Sequence, residues 1–172
     1  METRTKHIHT NEQLWDLLET VMDPEIPVLS VVDLGIVRKI EVNAGPRYVV
    51  RVTITPTYSG CPAMDAISTA IKNKLEEEGV EEIFVDTVLS PAWTTDWMTP
   101  QGKERLKAFG IAPPNPVQPV CSIDMFMPDE AVQCPHCDSF NTQLISRFGS
   151  TACKSLYKCR ECLEPFDYFK CH

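Results

Sequence analysis

Leu14, Leu17, Leu18 and Val21 recur at helical spacing, and Thr10-Asn-Glu-Gln13 ahead of them reads as a capping box, so a first helix is expected to reach about Met22. Asp23-Pro-Glu-Ile-Pro27 stops it, because two prolines remove backbone donors and hold their predecessors extended. Val28 to Gly35 then reads as a loop or short edge element. Ile36 to Asn43 and Tyr48 to Thr55 alternate as strands do and are joined by Asn43-Ala-Gly-Pro46, which predicts an antiparallel hairpin. After Thr57-Tyr-Ser-Gly-Cys61, Pro62 opens a second helix in which Met64, Ile67, Ala70, Ile71 and Leu75 share a face as far as Gly79. Ile83 to Leu89 is a third strand. Trp93 and Trp97 follow it and are expected to pack inward, and Thr99-Pro100 starts a last helix that places Leu106 and Phe109 inside and ends at Gly110.

These elements give a small α+β domain over residues 1–110, a mixed sheet covered by helices. Four prolines in Ile111 to Pro119 favour extended backbone, so residues 111–130 read as a linker. Val120 to Met127 can form a strand whose partner the pattern does not supply. Residues 131–172 carry two further strand-like runs, Asn141 to Phe148 and Lys154 to Lys158, turning at Gly149-Ser150. They lie between Cys134-Pro-His-Cys137 and Cys159-Arg-Glu-Cys162, and together these features describe a zinc ribbon.

A two-residue gap lets both sulfurs of one turn face a common centre, and two such turns complete a tetrahedral thiolate shell. Zn²⁺ suits Cys134, Cys137, Cys159 and Cys162 best. A single iron, an iron-sulfur cluster and a pair of disulfides are the alternatives. A centre closed by four protein ligands has no position for water and is structural. His136, inside the first turn, is expected to face solvent.

With 43% hydrophobic residues the 172-residue chain can bury a core, and its formal charge of -8 argues against a nucleic-acid surface. No stretch is apolar and long enough to span a bilayer, and the polar start has no signal-peptide core, so a cytoplasmic location is expected. In that compartment eight cysteines are ligands or reactive thiols in preference to bridges. Cys61, at the expected start of the second helix, should have a thiolate favoured by free amides and the helix dipole, which lowers its pKa; the bland reading is a small buried cysteine. Cys153 and Cys171 flank the second Cys pair and are candidates for a further thiolate site, while Cys121 has no assigned role. Asp33 reads first as a satisfied turn-former. With four histidines and no Ser/His/Asp set or phosphate-cradling loop, the chain is not expected to be an enzyme by itself.

Asp23-Pro-Glu-Ile-Pro-Val28, Val31-Val-Asp-Leu-Gly-Ile36 and Thr53-Ile-Thr-Pro-Thr-Tyr-Ser-Gly-Cys-Pro62 resemble the SufT-like iron-sulfur carrier and maturation domain over about residues 10–110. Pro91-Ala-Trp-Thr-Thr-Asp-Trp97, Phe148-Gly-Ser-Thr-Ala-Cys-Lys154 and Glu164-Pro-Phe-Asp-Tyr-Phe-Lys-Cys171 extend the similarity to the PaaD (PaaJ) family of the phenylacetyl-CoA epoxidase system. The resemblance implies an accessory subunit of aerobic phenylacetate catabolism that assembles or delivers iron-sulfur or iron centres. Its implied partners are the other epoxidase subunits, especially the iron-sulfur reductase or the di-iron oxygenase, and a homodimer is left open. It further implies that Cys61 is a transient iron-sulfur ligand and that Asp33 occupies a second motif position of unspecified role. A structural interaction subunit and an electron-transfer subunit with a permanent cluster are the alternative functions.

Overall fold

The computed structural model describes residues 8–114 and 132–170. Helix α1 spans Asn11–Leu18, with Thr10 accepting from the Gln13 amide and the Gln13 side chain accepting from the Thr10 amide. It is shorter than its apolar spacing suggests: Val21 is buried, but from a turn that follows the helix. The Asp23–Gly35 loop is held from within. The Asp23 carboxylate accepts from the amides of Glu25 and Ile26, and Met22 bridges to Ser30, which is the short edge element expected there.

Strands β1 (Val37–Ala44) and β2 (Tyr48–Ile54) pair antiparallel, and β3 (Glu82–Thr87) joins β2 in parallel after the crossover helix α2 (Met64–Glu77). The result is a mixed three-stranded sheet in the order β1-β2-β3. Tyr48, Val50, Val52 and Ile54 point from the central strand into the core, where Ile67, Ile71 and Leu75 of α2 meet Leu14 and Leu18 of α1. Trp93 is buried and donates to the Leu34 carbonyl at 2.8 Å; Trp97 is half-buried beneath the Arg38 guanidinium. Gly35 (φ +66°) lies so close to Trp97 that a Cβ would meet its carbonyl oxygen at 2.3 Å, so only glycine fits there.

Helix α3 (Pro100–Ala108) begins with Thr99 accepting from the Gly102 amide. The chain then enters a second sheet. Ile111–Ala112, at the head of the proline-rich run, form strand β4 and pair in parallel with β7 (Pro165–Phe169); β6 (Lys154–Cys159) and β5 (Thr142–Ser146) complete the order β4-β7-β6-β5. The spacing did not reveal β7, a five-residue strand next to a metal turn. The proposed strand Val120 to Met127 lies outside the described residues.

The second sheet is packed on the first unit. Phe169 is 1% exposed and stands edge-on to Trp93 at 6.0 Å between ring centres, and Cys153 is buried in the same core. On the other side Lys107 of α3 pairs with Asp138, and His136 lies against Gly110. A smaller core of Ala112, Val132, Tyr157, Phe166 and Tyr168 backs the four-cysteine centre.

Candidate metal centre and thiol cluster

Two groups of sulfur emerge from this architecture. In the first, the loop ahead of β5 carries Cys134 and Cys137, while Cys159 ends β6 and Cys162 lies in the turn that leads to β7. The four sulfurs lie within 4.8 Å of one another, with Cys134 to Cys162 at 3.7 Å and Cys137 to Cys159 at 3.5 Å. A sulfur–sulfur bond of about 2.05 Å is far shorter, so none of these is a disulfide. A tetrahedron built on metal–sulfur bonds of about 2.3 Å has edges of about 3.8 Å, close to these two separations.

The turns repeat one design. The Cys134 amide donates to the Ser139 carbonyl, and the Cys159 amide donates to the Glu164 carbonyl, five residues on in each case. The residue after each second cysteine, Asp138 (φ 61°) and Leu163 (φ 66°), is left-handed. That conformation accompanies backbone amides turned onto sulfur: Glu161 donates to Cys159 at 3.4 Å, Glu164 to Cys162, and His136 and Cys137 to Cys134. Neither left-handed residue is glycine, so the sequence did not signal these positions. Cys134 and Cys159 are buried and Cys137 is exposed, as is His136.

The second group joins the two sheets. Cys61 is half-buried in the turn before α2, which starts at Met64 and not at Pro62. Contrary to the expectation of a lowered pKa, the thiol is pushed up: burial outweighs the Ala63 amide and the Tyr58 hydroxyl that favour the thiolate, and the carboxylates of Glu25 and Asp23 oppose it. Cys153 does not accompany the metal turns either. Its sulfur donates to Glu25 at 3.7 Å and lies 3.0 Å from the Thr151 hydroxyl, and burial raises its pKa to about 11. Tyr58 hydrogen-bonds Cys61 and is raised to about 12, by burial first and then by Cys61, Glu25 and Cys153. Asp23 is raised by its own burial. Cys121 and Cys171, the other half of the expected Cys153 pair, lie outside the described residues.

Asp33 is engaged elsewhere. It is 5% exposed and accepts from the Ser30 amide, the Thr99 hydroxyl and the Arg105 guanidinium. Burial alone would raise it, but these three partners hold the carboxyl below its usual range. Its lone pairs fasten the loop to α3, which is the turn-forming role in a stronger form.

A protein of Escherichia coli K12 that carries the provisional name of the D component of 1,2-phenylacetyl-CoA epoxidase is 50% identical over 92% of either chain. The chain belongs to this PaaD family. Residues 119–170 match the PaaD zinc beta ribbon domain, and residues 11–89 match the iron-sulfur cluster assembly protein family. An Fe-S protein maturation auxiliary factor of Porphyromonas gingivalis is 39% identical over 54% of this chain and 86% of its own. A domain of unknown function from Bacillus anthracis, solved by crystallography, superposes with a TM-score of 0.50 at 32% identity, covering 55% of this chain and 89% of its own. The PaaD architecture is thus a maturation-factor fold joined to a four-cysteine ribbon. Among the described residues no helix is long and apolar enough to cross a membrane.

Proposed function

We propose that this PaaD-family protein assembles or delivers an iron-sulfur or iron centre to the oxygenase and reductase components of the epoxidase, acting by transfer and not by turnover. The observation that carries this reading is the position of Cys61. Its thiol is half-buried on a turn of a maturation-factor fold, where it stays accessible to an incoming ligand and outside the closed quartet. Because burial and the Glu25 and Asp23 carboxylates disfavour its thiolate, such a thiol would hold soft metal weakly and release it.

Cys134, Cys137, Cys159 and Cys162 would hold one Zn²⁺. Their separations suit a single ion, whereas a cluster of several irons would spread its ligands further apart. The ion would supply folding energy to a four-stranded sheet whose own core is small: among the described residues it has seven buried side chains, two of them the ligands Cys134 and Cys159. Phe140, Ile145, Phe148 and Leu163 leave large apolar side chains of the ribbon exposed, which would be available for docking on one of the other epoxidase components. This division puts domain roles at about 1–110 for metal handling and 131–172 for docking, in the cytoplasm, where thiols stay reduced.

Cluster content of the reductase separates transfer from passive scaffolding. In cells carrying Cys61→Ser, loss of reductase iron and sulfide with an intact complex is expected; full cluster content would refute delivery. Anaerobic purification tests the electron-transfer alternative, since a permanent cluster gives a visible absorption band that bleaches on reduction.

A further inference from the structure

We propose that Cys61 and Cys153, together with the Glu25 carboxylate, form one exchangeable site for a single divalent cation of soft or borderline character, such as ferrous iron. The proposal deepens the delivery reading and rests on it: the cargo thiol acts as half of a pair, and its partner comes from the ribbon sheet. Three observations converge. Cys153 donates directly to Glu25 across 128 positions of sequence, so the ribbon brings its thiol to the Asp23–Gly35 loop. Cys61 packs against the core that buries Cys153, and one groove is lined by Tyr58 and Ser59 on the Cys61 side and by Ala152 next to Cys153, so the two cysteine turns adjoin. Neither thiol is bridged, and neither takes part in the quartet.

Charge explains why a cation belongs there. Asp23 and Glu25 both oppose the thiolate forms of Cys61 and Cys153, so two thiolates beside these carboxylates call for a positive centre. The cations that face Cys153 are engaged elsewhere: Lys154 lies 3.8 Å from Asp167, and Lys170 donates to the Arg147 carbonyl. Binding is then a proton exchange: the dication enters, two thiol protons leave to water, and the thiolates and Glu25 become ligands with no change of oxidation state. Thiolate and carboxylate donors together suit a borderline ion.

Three protein donors leave one position for a thiolate of the recipient, unlike the closed quartet. The pair is also less tightly gathered, since among the described residues only the quartet brings its ligand atoms within 4.8 Å of one another. The Cys61 turn therefore has to close on Cys153 to bind, which weakens affinity and favours release. An open groove of about 330 Å³, lined by Tyr58, Ser59, Phe148 and Ala152, borders the two cysteine turns and provides access.

The test is an anaerobic titration of the full chain, its quartet filled with zinc, using Co²⁺ as probe. Wild type should take up one further equivalent with thiolate-to-cobalt charge transfer. Cys61→Ser and Cys153→Ser should each weaken this uptake by about tenfold or more and reduce the charge-transfer band. Because Cys153 is buried, Glu25→Gln serves as the isosteric check: it should lower affinity by about tenfold and leave the band's intensity per bound ion unchanged. Uptake of no second equivalent by wild type, or wild-type affinity in both Cys153→Ser and Glu25→Gln, overturns the site. Loss in Cys61→Ser alone refutes the pair and leaves single-thiol delivery standing. Loss in both cysteine variants, with full reductase clusters in cells carrying Cys61→Ser, upholds the site and refutes delivery.

Discussion

The ribbon quartet and the Cys61–Cys153 pair are built from the same side chain and treat it in opposite ways. Around the quartet, left-handed residues and paired turns aim backbone amides at sulfur, and the four atoms are already spaced for one ion. Around the pair, the neighbours are two carboxylates and a phenol, and both thiols are held protonated. The first environment offers amide donors to its sulfurs and gathers four of them; the second sets carboxylates beside its sulfurs, whose charge a bound cation would offset. Permanence and exchange thus follow from the groups that surround the ligands, and ligand type alone does not distinguish them.

The largest break in this comparison comes from Cys134→Ser. The apparent binding free energy of a structural zinc is about 10–16 kcal/mol, so the ribbon should lose its fold, with β4 and the end of α3 loosened through the β4–β7 pairing. Limited proteolysis and far-UV circular dichroism would report this, whereas Cys61→Ser should leave both signals at wild-type values. Phe169→Ala removes the ring that seats the ribbon on Trp93 and should cost about 3–5 kcal/mol in chemical denaturation. It should also separate Cys153 from Glu25 without touching a quartet ligand.

Asp33→Ala leaves the Ser30 amide and Arg105 without their acceptor and should cost about 2–4 kcal/mol. Since the folded pKa lies below the ordinary 3.8, the stabilisation is fully present above about pH 4 and is lost as pH falls through the lowered value. Asp33→Asn should accordingly show a flatter acid limb in thermal melts. The smallest effect sharpens the design of the turns. Leu163 is exposed and left-handed, so Leu163→Gly should relieve strain and raise stability by about 1 kcal/mol.

Local features were legible in advance. The Thr10–Gln13 box, the hairpin at Asn43–Pro46 and the two Cys-x-x-Cys turns each involve groups a few residues apart, where backbone geometry alone decides who meets whom. The apolar spacing overextends α1 because Val21 keeps that spacing after the helix has stopped. The pattern points to a lowered pKa for Cys61 because the helix dipole is visible in sequence, while Glu25 and Asp23, which oppose it, arrive by tertiary folding. Strand β7 escapes the pattern because five residues beside a metal turn carry too little periodicity, and β4 because prolines follow it at once.

By itself the sequence determined the metal quartet, the α+β fold preceding it and the family, because ligand spacing and apolar period act over one or two turns of backbone. Only the tertiary structure decided that Cys153 turns away from the ribbon's centre to meet Glu25 and the Cys61 turn, and that Asp33 is bound to α3. Those contacts join positions far apart in the chain, and which distant groups meet is fixed by the packing of Phe169 and Cys153 into the first core, for which no local pattern exists.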